Sequence, residues 1–69
     1  MMFDRYPERR RVYVTTKTDR TFEGILWRRT RDFLVMKSAR LLLPDGTHRD
    51  IEGDLVIERA NVDVMQVFG

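Results

Sequence analysis

From Arg11 onward, apolar residues recur at every second position, a period that dictates extended strands and not helices. In "RVYVTTKT", Val12, Val14 and Thr16 fall on one face, and Tyr13, Thr15 and Lys17 on the other. A tight hairpin connection is expected at Asp19-Arg20. "TFEGILWRRT" then resumes the alternation with Phe22, Gly24 and Leu26 inward. A glycine in the middle of such a strand marks a sharp bend or a close backbone approach.

The breaks that follow are too small for helices. "RTRD" (29–32) offers a polar turn, and "FLVMKSARLLL" supplies a strand whose apolar residues are too continuous for one wet face, so it is buried on both sides or bent. "LPDGT" (43–47) is the clearest turn signal, with proline fixing φ ahead of Asp-Gly. "HRDIEGDLVIER" reads as a fourth strand, and "DVMQVF", after the break at "ANV", as a fifth. The expected fold is all-β, a small antiparallel five-stranded barrel or sandwich over residues 11–69. Residues 1–10 precede it as an arm or a short helix, for which Asp4 is a candidate cap and Pro7 fits an early position.

A chain of 69 residues builds a thin core, and folds of this size usually recruit disulfides, a metal or a partner subunit. Cysteine is absent, which excludes disulfides and zinc-finger spacing. The single histidine, His48, lacks carboxylates at metal-binding spacing. Oligomerisation is the remaining staple, so a homo-oligomer is expected, with no metal and no cofactor. The start lacks a basic region followed by an apolar one, and no apolar run approaches the roughly 18 residues of a membrane helix. These features point to a cytoplasmic protein without a membrane partner.

Net charge is only +2, yet residues 1–31 carry nine basic and four acidic groups against four and seven in residues 32–69. Eleven of the thirteen basic residues are arginine, the side chain suited to phosphate forks and to stacking on bases. "WRRTR" (27–31) joins Trp27 to Arg28, Arg29 and Arg31, a composition found in grooves for single strands. The other reading is a solvated turn in which those arginines pair with Asp32 or Glu58. "ERRR" (8–11) is likewise either a phosphate patch or a solubilising, subunit-pairing edge. Asp50, Glu52 and Asp54 alternate as on an exposed strand face, and no Gly-rich phosphate loop is present, so neither an enzyme nor a small-molecule substrate is expected.

Over residues 11–68 the sequence resembles the Sm and Sm-like superfamily. Val12, Val14, Phe22, Gly24 and Leu26 fall where the first Sm motif places its apolar residues and bend glycine, and "FLVMKSAR" looks like the family's third strand. "IERANVDVM" is similar to the second motif, with Ile57, Asn61 and Val62 in place and Glu58-Arg59 where the family has Arg-Gly. The resemblance implies a strongly bent five-stranded barrel that assembles into rings through its last two strands, here by way of Leu55, Ile57, Val64, Met65 and Val67.

It also implies binding of single-stranded RNA in the ring's pore. Asn61 would belong to that machinery, but the base-reading Asn of the first motif falls on or near Phe33, which can stack a base and cannot read its edge. Glu58 stands where the family's Arg packs beside the base, so the pocket is degenerate. Two functions follow as expectations: binding of single-stranded RNA or other nucleic acid through Arg28, Arg29, Arg31, Trp27 and Phe33, or a structural adaptor that keeps only self-pairing edges within a larger complex or viral particle.

Overall fold

The computed structural model describes residues 9–68. Strands β1 (Arg10–Thr16), β2 (Thr21–Arg29), β3 (Phe33–Leu42), β4 (His48–Asp50), β5 (Leu55–Glu58) and β6 (Val62–Val67) form one antiparallel sheet. Its order is β4-β3-β2-β1-β6, and β5 pairs with the other half of β3. A single 3₁₀ turn, Arg59–Asn61, joins β5 to β6. The arm or helix expected over residues 1–10 lies largely outside the described residues, and Arg10 already belongs to β1.

The alternation places the core. Val12, Val14, Leu26, Leu34 and Met36 are fully buried, joined by Ala39 and Ile57, with Phe22, Ile51, Leu55, Val62 and Met65 packed against them. Thr16 is buried with them, as its position on the Val12 face requires, and its hydroxyl is bonded to Thr18 and Arg20. The first hairpin is wider than Asp19-Arg20 alone. The connection runs over residues 17–20, with Asp19 at φ 66 and Thr16 N–H donating to Arg20 O at 2.8 Å.

Gly24 marks both a close approach and a bend. A Cβ there would stand 3.0 Å from Ala39 Cα and 3.0 Å from Lys37 O. Opposite it β3 carries an extra residue, because the register steps from Glu23↔Arg40 to Ile25↔Lys37. Ser38 takes up the excess at φ 52, in the left-handed region. β3 is therefore bent, which resolves how so apolar a strand avoids two dry faces.

The bend also divides the anticipated fourth strand in two, so six strands stand among the described residues where five were expected. A partner of β3 must follow its change of direction, and the anticipated fourth strand cannot do so unbroken. β4 pairs with Arg40–Leu42, and β5 with Phe33–Met36. Between them Ile51 N–H donates to Ala39 O, and Gly53 turns the chain at φ 76. Glu52, Gly53 and Asp54 are poor strand formers, so the break falls where propensity is weakest. The "LPDGT" turn forms as read, with Gly46 at φ 90 and Asp45 Oδ1 accepting from Thr47 N–H at 2.9 Å and from its hydroxyl at 2.6 Å.

β5 and β6 do not pair with each other. Each has one edge hydrogen-bonded, β5 to β3 and β6 to β1, and its other edge unpaired among the described residues. The curled sheet is an open barrel with a seam there.

Candidate nucleic-acid interface

Two connections meet beside the seam. The turn from β2 to β3 is held internally, with Thr30 N–H donating to Phe33 O at 2.8 Å and Phe33 N–H to Thr30 Oγ1 at 3.1 Å. Against it lies the start of the 3₁₀ turn. Arg59 N–H donates to Asp32 O at 2.8 Å, and Arg59 Nη1 donates to the carbonyls of Thr30 and Arg31 at 3.1 and 3.2 Å. Between them opens a pocket of about 610 Å³ lined by Arg31, Asp32, Phe33, Glu58, Arg59 and Ala60. Phe33 is 41% exposed there, an aromatic face directly opposite Glu58 in the β3–β5 ladder.

Of the expected binding residues, only Arg31 and Phe33 come together in this pocket. Trp27 is the extra residue of a bulge in β2, where the register steps from Leu26↔Met36 to Arg28↔Val35. Its ring is already engaged: the Arg9 guanidinium lies 3.8 Å from the ring centroid and Lys37 Nζ 5.4 Å, while Arg9 Nε donates to Trp27 O at 3.2 Å. Lys37 is further tied to Asp54 at 3.0 Å. Arg28 is exposed and Arg29 half-buried, and Arg29 is not free. Asn61 lines a different cavity, of about 430 Å³, with Thr16, Arg20, Phe22 and Leu55, and its carbonyl accepts from Lys17 N–H at 2.8 Å.

Arg59 is the residue that sequence reasoning passed over, because it stands at the resemblance's glycine position. Its nearest signal was the "ER" that replaces Arg-Gly. The guanidinium reaches the β2–β3 turn from one position later than the family's arginine. The pocket thus carries Arg31 and Arg59 against Asp32 and Glu58, so its formal charges balance. The basic and acidic halves of the chain are interleaved in the sheet, since β6 pairs with β1 and β3 with β2.

The anticipated subunit-contact residues divide by exposure. Ile57 is only 5% exposed, so its side chain belongs to its own core, and Leu55 and Met65 pack against that core. Strand alternation turns these side chains inward and leaves the backbone at the edge. Val64 and Val67 are exposed, as is Val56 on β5, which was not anticipated. His48 lies on β4 beside the end of β3 remote from Phe33, with Nε2 3.2 Å from Arg40 Nη1 and 3.7 Å from Asp50 Oδ1. Among the described residues no group of three or more potential ligands could hold a metal, and no helix is long and apolar enough to cross a membrane.

No family model and no curated protein matches the chain. Among solved structures it is similar to a heptameric archaeal Sm protein whose description draws implications for the eukaryotic snRNP core. The likeness has a TM-score of 0.77 over 88% of each chain at 21% identity. The fold is the Sm-like fold.

Proposed function

We propose that this chain is the subunit of an Sm-like ring that binds single-stranded RNA in the Phe33 pocket, acting as a binding scaffold in the cytoplasm and not as an enzyme. The exposed Phe33 ring carries the reading. An aromatic held open by an ordered turn is a platform for an unstacked base, and such stacking is worth roughly 1–3 kcal/mol per base. Arg31, exposed at the pocket's rim, supplies a phosphate contact, and Arg28 extends the basic surface along β2. Ring assembly is supported by the likeness to a heptameric protein and by the two free strand edges at the seam. In a ring, β5 of one copy would pair with β6 of the next and cover Val56, Val64 and Val67.

Fluorescence anisotropy with labelled poly-U, poly-A and single-stranded DNA tests the reading at low and moderate salt. Affinity for RNA is expected to fall steeply as salt rises, and Phe33→Ala to weaken it by about tenfold or more. Binding that is absent, or indifferent to Phe33, would sink it. The balanced charge of the pocket favours a second reading, an adaptor that assembles without nucleic acid. That outcome is marked by intact rings in the same experiment with no salt-sensitive binding.

A further inference from the structure

Resting on the RNA-binding reading, we propose that Glu58 makes the Phe33 pocket selective for bases whose edge presents N–H groups, guanine foremost, over uracil. Phe33 and Glu58 are directly opposed in an antiparallel ladder and line the same pocket. Opposed residues hold their Cβ atoms about 4.5–5.5 Å apart, so a base stacked on the ring carries its edge past the carboxylate. The Glu58 side chain makes no capping bond to the 3₁₀ turn that follows it, and has no hydrogen-bond or ion-pair partner among the described residues.

The neighbouring cation does not compete for that role. Arg59 directs its guanidinium to the carbonyls of Thr30 and Arg31, which orders the turn beneath Phe33. Glu58 is then the acceptor directly opposite the ring and placed to read a base edge, and an ionised carboxylate only accepts. Guanine offers N1–H and N2–H side by side, which two carboxylate oxygens can accept together. Adenine and cytosine each offer an amino group next to a ring nitrogen acceptor. Uracil offers one N–H between two carbonyls, and those oxygens would face the carboxylate with like partial charge. Asp32, at the same pocket, is a second acceptor and leaves this ranking unchanged.

The test is anisotropy with labelled hexaribonucleotides: all-uridine, and all-uridine with one central guanosine, adenosine or cytidine, a design that avoids guanine quadruplexes. The single-guanosine RNA is expected to bind at least about fivefold more tightly than all-uridine, the lower bound for a good bidentate base contact. Glu58→Ala should abolish that difference, and Glu58→Gln should reduce it while raising affinity for all-uridine RNA. Glu58 is exposed, so neither change threatens the core. Equal binding of all four RNAs by the unaltered protein, or a guanosine preference that survives Glu58→Ala, overturns the inference and leaves RNA binding standing. No salt-sensitive binding of any of them removes the function proposed above, and the selectivity with it.

Discussion

Glycine 24 and glutamate 23 are neighbours on β2, and they differ in how much the sequence disclosed. A glycine interrupting a period-two strand announces a constraint, and the constraint is backbone: Ala39 Cα and Lys37 O would crowd a Cβ at 3.0 Å, and backbone atoms yield less readily than a side-chain end. Gly24→Ala is therefore expected to destabilise the fold by about 1–3 kcal/mol, the usual cost of overpacking, measured as a lower urea midpoint with unchanged slope. Glu23 reads as a solvent-facing charge in the same alternation, yet it is buried on the sheet's outer surface. Arg40 Nε binds it at 2.7 Å, and Arg11 Nε lies 3.6 Å away. Both cations sit on neighbouring strands, so only the pairing of β1 and β3 with β2 reveals them. Glu23→Ala should cost about 1–2 kcal/mol in the same urea experiment, the lower part of the range for charge-assisted bonds because both arginines are partly exposed.

At the scale of elements, strand positions and the Asp-Gly turn were legible because local chemistry dictates them. The break between β4 and β5 was not, since it originates in Ser38, a residue on another strand that the sequence gives no reason to single out. Ser38 sits in the left-handed region, which disfavours residues with a side chain. Ser38→Gly should accordingly raise stability by up to about 1 kcal/mol, read as a higher thermal midpoint, whereas Ser38→Val should lower it. In the turn after β3, the Thr47 hydroxyl and, less strongly, the Thr47 backbone amide hold the Asp45 carboxyl below its ordinary value of 3.8. A depressed carboxyl favours the folded turn above that ordinary value and loses this contribution as pH falls through the folded-state pKa. An NMR titration should show Asp45 protonating below its value in the unfolded chain. The Phe33 pocket was half legible: the aromatic and Arg31 stood in a conspicuous cluster, while Arg59 acquires its role only when the 3₁₀ turn folds back on the β2–β3 turn. Hydrogen exchange should register that dependence, with Arg59→Ala accelerating exchange at the Phe33 amide.

For the whole molecule, the seam is the feature on which the proposed ring depends. Unpaired strand edges are templates for pairing, and Val56 and Val64 leave apolar surface beside them. Val64→Asp is expected to turn the proposed ring into monomers in analytical ultracentrifugation while leaving the circular dichroism of the β-sheet intact. The same substitution in a chain that is already monomeric would change nothing, which separates the two cases. The stickiness of the terminal strand was visible in "DVMQVF", but which of its side chains face outward follows only from the register with β1.

The two edges of the seam are not alike, one belonging to a four-residue strand and the other to a six-residue strand. Copies that join through them must do so head to tail, and a head-to-tail contact repeats until its rotation closes a circle or runs on as a helix. The path between the two edges runs through the bulge in β3 at Ser38, opposite Gly24 of β2. In the ring proposed above, that bulge and the one at Trp27 act as its protractor: opening or tightening them by a few degrees would change the number of copies, or turn the ring into a fibre.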